Sequence, residues 1–278
     1  MRENTKKKKV LIIGLDGCRA DAWQAASTPN LDKLSENGIF STDAMTEIDT
    51  VSGACWTSLL KGVHREKHGV QGNDFSGMDP QYETLFKIIK TQIPTIKCVG
   101  NSNWKPILTK IFEKGVLNKS KSGKDAIMAW RTKKDIQKNK GDLYFVQLDD
   151  CDHAGHKYIY SIESDKYMNQ VEETDKLVGK IMTAVHERPK KENWLVCVVS
   201  DHGGRKKSHG GPTYGELNIV FIISGDSVEN KGKIPYDESQ DEDGTMMPKI
   251  VDIVPTIADF LDIPNKEYWD GKSRVNFA

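Results

Sequence analysis

The chain has no excess of either charge: 40 Lys and Arg offset 40 Asp and Glu across 278 residues. There is thus no whole-molecule positive field to gather a nucleic acid duplex or an anionic membrane, and any anionic substrate must be held by a local site. Long apolar runs are missing too. The VLIIGL segment after MRENTKKKK is too brief for a signal-peptide core and has no small-residue cleavage pattern, and no run approaches the roughly 18 apolar residues that span a bilayer. Cysteine is sparse and odd in number, five in all, which without a secretory signal argues against a disulfide framework and for free thiols. These absences lead us to expect a cytoplasmic protein that acts on a small molecule, with neither a membrane nor a duplex as partner.

Short β-branched runs bounded by turn residues are present instead: Val10 to Leu15, Thr95 to Val99, Leu143 to Leu148, Trp194 to Val199 and Ile219 to Ile223. Each reads as a buried strand. Between them, Tyr82 to Lys90, Asp125 to Gln137 and Asp165 to His186 carry helical periodicity, and Ile250 to Leu261 reads as a closing amphipathic helix. Strands alternating with helices predict an α/β fold, a mostly parallel central sheet sandwiched by helices on both faces. Nothing in the composition forces a second domain, so residues 1–278 are read as one compact domain. It carries an irregular surface excursion at about 224–248, where glycines, prolines and an acidic run suggest a solvated loop with a short hairpin.

In an open parallel sheet, functional groups collect where the strands end. Asp16 follows the first strand; Asp149, Asp150 and Asp152 follow LYFVQL, with His153 and His156 close behind; Asp201 and His202 follow LVCVVS, and His209 comes soon after. One aspartate after a strand is usually a helix cap. Three such clusters form a carboxylate and imidazole set suited to zinc or manganese, with histidine favouring zinc. In TVSGACWTSLLKG, small residues precede a helical pattern ended by Gly62. A hydroxyl there sits among free N–H groups at a positive helix end, a natural place for phosphate, although Ser52 alone also reads as an ordinary N-cap.

Five blocks, LIIGLDGCRAD with STPNLDKLSENG, SGACWTSLLKGVHREKHGV, DDCDHAGH, SDHGGRKKSHGG and IVDIVPTIADFLDIP, resemble the alkaline phosphatase superfamily, most closely its nucleotide pyrophosphatase/phosphodiesterase branch. The resemblance implies two divalent metal ions, zinc first and manganese second. It would place one on Asp152, His156 and His209 and the other on Asp16, Asp201, His202 and the Ser52 oxygen. In the resembling family the nucleophile lies ten residues before the glycine that ends its helix, so counting back from Gly62 would make Ser52 the nucleophile, with Thr50 two positions off register. The resemblance then implies attack on phosphorus and a phosphoserine at Ser52, later hydrolysed by water.

The match also departs from its relatives. Sulfatases of the superfamily need a cysteine or serine followed by a proline and arginine motif; here Ser52 is followed by Gly53, Ala54, Cys55 and Trp56, so sulfatase activity is not expected. The nucleotide enzymes usually carry threonine as nucleophile and an asparagine three residues later, where this chain has Ser52 and Cys55. The Gly53 N–H and the Asn73 side chain are then the candidate phosphate contacts, and leaving-group recognition is sought around Trp104, which as a large aromatic reads first as packing. Cys18, Cys55 and Cys151 read as packing, His64, His68 and His153 as structural, and His186 as solvent-facing. The expected function is hydrolysis of phosphate diesters, nucleotide-like ones included. A phosphomonoesterase using Arg19 for the second anionic charge ranks next, then mutase-type transfer, then a catalytically silent metal- or ligand-binding module.

Overall fold

The computed structural model describes residues 6–237, 239 and 246–278. Its eight strands are β1 (Lys7–Leu15), β2 (Gly38–Ser41), β3 (Cys98–Ser102), β4 (Lys119–Ser122), β5 (Leu143–Leu148), β6 (Glu192–Val199), β7 (Phe221–Gly225) and β8 (Gly232–Lys233). They form one sheet in the order β4-β3-β5-β1-β6-β7-β2-β8. All pairings are parallel except those of β7 with β6 and with β2. The α-helices are α1 (Ala20–Ala25), α2 (Pro29–Glu36), α3 (Ser52–Lys61), α4 (Arg65–His68), α5 (Leu85–Gln92), α6 (Asp125–Gln137), α7 (Asp150–Tyr158), α8 (Asp165–His186), α9 (Tyr214–Leu217) and α10 (Ile253–Phe260).

The continuous apolar character of β1 follows from burial on both sides. Val10 and Ile12 join a core with residues of α3, α5 and α10, whereas Leu11, Ile13 and Leu15 join a second core with residues of α1, α2, α6 and α8. This is the predicted sandwich. No helix among the described residues is long and apolar enough to cross a membrane.

The differences from the sequence reading have local causes. β3 begins at Cys98, not Thr95, because its ladder runs from Cys98 opposite Leu143 to Ser102 opposite Gln147, while Ile96 N–H closes a turn on Ile93 O at 3.0 Å. β7 begins at Phe221, since the Ile219 N–H donates to Ala44 O and the Val220 N–H to Ser200 Oγ, both outside the ladder. Three short strands escaped notice: GIFS is brief, KSKS is apolar nowhere, and GK is two residues long. The last lies in the 224–248 excursion and pairs with β2, so β7 runs two residues into that stretch and an edge strand stands where a hairpin was expected. Residues 238 and 240–245 of the excursion lie outside the described residues. Ile250–Asp252 is a 3-10 turn that leads into α10.

His68, at the end of α4, is completely buried. The Val70 N–H donates to its Nδ1 at 3.1 Å, which leaves Nε2–H to donate to Ser58 Oγ at 2.8 Å. Burial holds its pKa down to about 4. Folding therefore favours the neutral ring: the stability it contributes is present above pH ~6.5 and lost as pH falls through about 4, up to about 3 kcal/mol. Urea unfolding between pH 7 and 4 should show this loss, and a His68→Gln variant should show a shallower decline; an unchanged slope would assign it to other groups.

Candidate active site

β5, β1 and β6 are adjacent in the sheet and parallel, so their carboxyl ends deliver Asp149, Asp16 and Asp201 to one edge. Asp16 and Asp201 are buried. Asp16 Oδ2 accepts from Trp56 Nε1 and Gln147 Nε2, each at 2.9 Å, and Asp201 Oδ1 accepts from the N–H groups of Gly17 and His202 at 3.1 and 2.9 Å. The other oxygen of each, Asp16 Oδ1 and Asp201 Oδ2, is buried without a hydrogen-bond partner. Both lie near His202 Nε2, at 3.6 and 3.3 Å.

The three site histidines are oriented alike. His202 Nδ1 lies 2.8 Å from Gly203 O, His209 Nδ1 2.6 Å from Thr50 O, and His156 Nδ1 2.9 Å from Lys207 O. A carbonyl can only accept, so each Nδ1 carries the proton and each Nε2 keeps its lone pair, the arrangement that metal-binding imidazoles adopt. The His202 and His209 rings stack 3.8 Å apart. Asp16, Asp201 and His202 form one group of convergent ligand atoms, and Asp152, His202 and His209 a second. His156 stands beside the second, its Nε2 3.3 Å from Asp152 Oδ2. The structure thus brings all six predicted Asp and His positions together, with His202 touching both groups.

Ser52 is the first residue of α3, and Val51 occupies the N-cap position, so the N-cap reading fails. The Ser52 hydroxyl lies 3.1 Å from His202 Nε2 and, given that ring's tautomer, donates to it. The Gly53 N–H is not free for a phosphate, which corrects that expectation: it donates to Asn73 Oδ1 at 2.8 Å. A Cβ on Gly53 would meet Gly72 O at 2.6 Å, so the 72–73 loop lies directly over it. Asn73 keeps its Nδ2 amide as the donor on that loop.

Burial first, then the neighbouring carboxylates, pushes Asp16 and Asp201 well above the usual carboxylate range. Burial likewise pushes His202 and His209 down. A divalent cation reverses the demand on the acids and suits neutral imidazoles. The orphaned carboxylate oxygens, the aligned Nε2 atoms and the mixed N/O donor set therefore fit divalent metal ions.

Several residues that seat these groups went unnoticed in the sequence. Tyr160 donates its hydroxyl to Asp152 Oδ1. Asp125, at the start of α6, accepts the N–H groups of Asp149 and Asp150 at 2.8 to 2.9 Å and so caps α7, which carries Asp152 and His156. Thr50, off register as a nucleophile, holds His209 by its carbonyl and the Gly210 N–H by its hydroxyl. A threonine in the β2-to-α3 connection, a remote cap and a tyrosine past a helix end leave no periodic signal. Arg19 is bound to Asp21, Tyr160 O and Gly204 O. Trp104 packs on the core and meets Phe75 at 5.7 Å between ring centroids. His64 pairs with Glu47, His153 with Asp149 and Asp150, and His186 is exposed.

The fold and the cluster of carboxylates, imidazoles and serine at its strand ends define a member of the alkaline phosphatase superfamily. A family model, type I phosphodiesterase / nucleotide pyrophosphatase, matches residues 10–116 and 102–209, and the chain belongs to that family. It is 24% identical over 239 residues to ectonucleotide pyrophosphatase/phosphodiesterase family member 7 of Rattus norvegicus, covering 72% of this chain and 51% of the relative. The Homo sapiens counterpart is 23% identical over 235 residues, covering 71% and 48%. The chain thus spans about half the length of these relatives. Among solved structures, murine ectonucleotide pyrophosphatase/phosphodiesterase 5, in an inactive form with AMP, superposes with a TM-score of 0.72 at 13% identity, covering 97% of this chain and all of that one. A 2-O GAG sulfatase superposes at 0.74 and 14% identity, covering 97% and 73%.

Gly17 gives a direct test of the site's assembly. Its φ is +63°, and a Cβ there would lie 2.7 to 2.8 Å from the Asp152 backbone and carboxylate. A Gly17→Ala variant should lose on the order of 1–3 kcal/mol from backbone strain alone and should bind added zinc more weakly, read by denaturation and by dye competition; unaltered zinc binding would mean that Asp152 is not held by this contact.

Proposed function

We propose that the chain is a two-metal phosphodiesterase that hydrolyses phosphate diesters, nucleotide-like ones included, through a phosphoserine at Ser52. The observation that carries this reading is the Ser52 hydroxyl, at a helix start and 3.1 Å from His202 Nε2, inside the cluster of orphaned carboxylate oxygens. Asp152, His156 and His209 would hold one metal ion, and Asp16, Asp201, His202 and Ser52 Oγ the other, with zinc favoured over manganese by the histidine content. Bound there, two divalent cations would supply Lewis-acid stabilisation of the phosphoryl oxygens and an acidified oxygen nucleophile.

Ser52 Oγ attacks phosphorus as the bond to the leaving alcohol breaks, and the alcohol departs with a proton. Water then cleaves the phosphoserine to release a monoester and restore the hydroxyl. The N-terminal end of α3 faces the developing anionic charge, and Asn73 Nδ2 is the donor available for a non-bridging oxygen. Exposed Arg205, Lys206 and Lys207, on the turn whose Lys207 carbonyl holds His156, give the rim a cationic character that suits an anionic leaving group. Diester is favoured over monoester because Arg19, the candidate for the second anionic charge of a monoester, is already engaged by Asp21 and two carbonyls. The relatives named for pyrophosphatase/phosphodiesterase activity and the AMP complex of one neighbour support the same class. The five free, buried cysteines accord with a reducing, cytoplasmic setting.

Paired aryl phosphate diester and monoester substrates test this with the zinc-loaded chain. We expect kcat/KM for the diester to exceed that for the monoester by roughly tenfold or more. The Ser52→Ala variant should lose about 10³-fold or more while retaining folded structure, and chelation should abolish activity reversibly. Preference for the monoester would move the monoesterase reading to the front; turnover of neither would favour a binding module.

A further inference from the structure

Gln147 lies in β5, is completely buried, and uses its amide at both ends. Its Oε1 accepts from Ser102 Oγ at 2.8 Å and from the Trp104 N–H at 2.9 Å. A backbone N–H can only donate, so the amide cannot be flipped. Its Nε2 then donates to Asp16 Oδ2 at 2.9 Å and to Asp149 Oδ1 at 2.8 Å. With Trp56 Nε1 donating to the same Asp16 oxygen, Oδ2 is held by two N–H groups and Oδ1 alone is left facing His202 Nε2.

We infer that Gln147 is the positioning residue of the metal site: it selects which oxygen of Asp16 is offered to a cation and locks that choice to the Ser102–Trp104 segment. It is also a neutral donor set between two buried carboxylates, which a glutamate at the same place would repel. The alternative, a buried amide that merely satisfies its neighbours, predicts loss of stability with no selective effect on one metal. The inference rests on the reading of Asp16 as a ligand. An Asp16 carboxylate released from Gln147 can rotate, so the cost falls on the ion it would hold, whereas the hydrogen bonds of this amide go to Ser102, Trp104, Asp16 and Asp149 and not to Asp152, His156 or His209.

The test is competitive titration of Zn²⁺ against a chromophoric chelator, with the unmodified chain, Gln147→Met and Trp56→Phe compared after thermal unfolding confirms that each variant is folded. For Q147M we expect one of two zinc equilibria to weaken roughly 10- to 100-fold and the other to stay within about twofold, with W56F weakening the same equilibrium. In diester hydrolysis, kcat should fall while KM stays within about twofold. Two unchanged zinc equilibria in folded Q147M, or equal weakening of both, would overturn the inference. If Q147M does not fold, Ser102→Ala, which removes one of the two donors to Oε1, must weaken the same single equilibrium to a smaller extent, and failure to do so overturns it equally. An unmodified chain that binds two zinc ions but cleaves neither ester would sink the proposed function and leave this inference to the zinc equilibria; one that binds no zinc would overturn both.

Discussion

Carboxylates converge at the ends of three neighbouring parallel strands with no lysine or arginine paired to them among the described residues, and much of the local structure exists to tolerate that. Asp16 and Asp201 are buried, and their ion-pair contacts among the described residues are with His202 alone. An uncompensated buried carboxylate costs several kcal/mol, so the chain spends neutral donors on one oxygen of each: Trp56 and Gln147 on Asp16, the Gly17 and His202 N–H groups on Asp201. The remaining oxygens are left bare and aimed at one imidazole. A site arranged this way would favour a divalent cation, and the chemistry we propose draws on that demand.

The need to bring these groups close explains features far from any reacting atom. Gly14 in β1 has no Cβ because the Trp56 ring lies across it, 2.3 Å from where that atom would be, and this crossing carries the indole N–H to Asp16. Tyr160 lies against Gly155 and Gly204, where added Cβ atoms would meet its ring at 2.1 and 2.3 Å, and its hydroxyl reaches Asp152. The Gly204 carbonyl and the Tyr160 carbonyl are both held by Arg19. The cation that sequence alone offered to substrate is thus a clamp between the loops after β1, α7 and β6, the last of which carries His202 and His209.

How much of this was legible depended on whether the signal was periodic or spatial. The buried runs at Leu143 to Leu148 and the helices Asp125–Gln137 and Asp165–His186 stand where the pattern placed them, because burial on both faces, or on one stripe, writes itself into consecutive residues. The Asp and His candidates were readable because strand ends are where a parallel sheet exposes groups. Gln147, Tyr160, Asp125 and Thr50 were not: each acts through hydrogen bonds to residues outside its own strand, helix or loop, and such pairings leave no spacing to detect. Edge strands β4 and β8 were missed for a different reason, since an edge needs little apolar content and theirs has almost none.

The fold is shared with a sulfatase as closely as with a nucleotide enzyme, so the sheet cannot select the chemistry; the residues around the nucleophile must. The resemblance to the nucleotide enzymes leads one to expect an asparagine three residues past the nucleophile. Here that position is Cys55, fully buried and part of the core beneath α3, where burial pushes its thiol pKa well up. A neutral, buried thiol packed in the core cannot reach a phosphate oxygen. The loop that closes over Gly53 supplies a different asparagine, Asn73, from outside the helix. In the proposed reading, phosphate contact would come from this loop, whose packing runs through Phe75 to Trp104 and, through the Trp104 N–H, to Gln147 and Asp16. The Asn73 loop and the Asp16 carboxylate are thus joined by one line of packed and hydrogen-bonded residues.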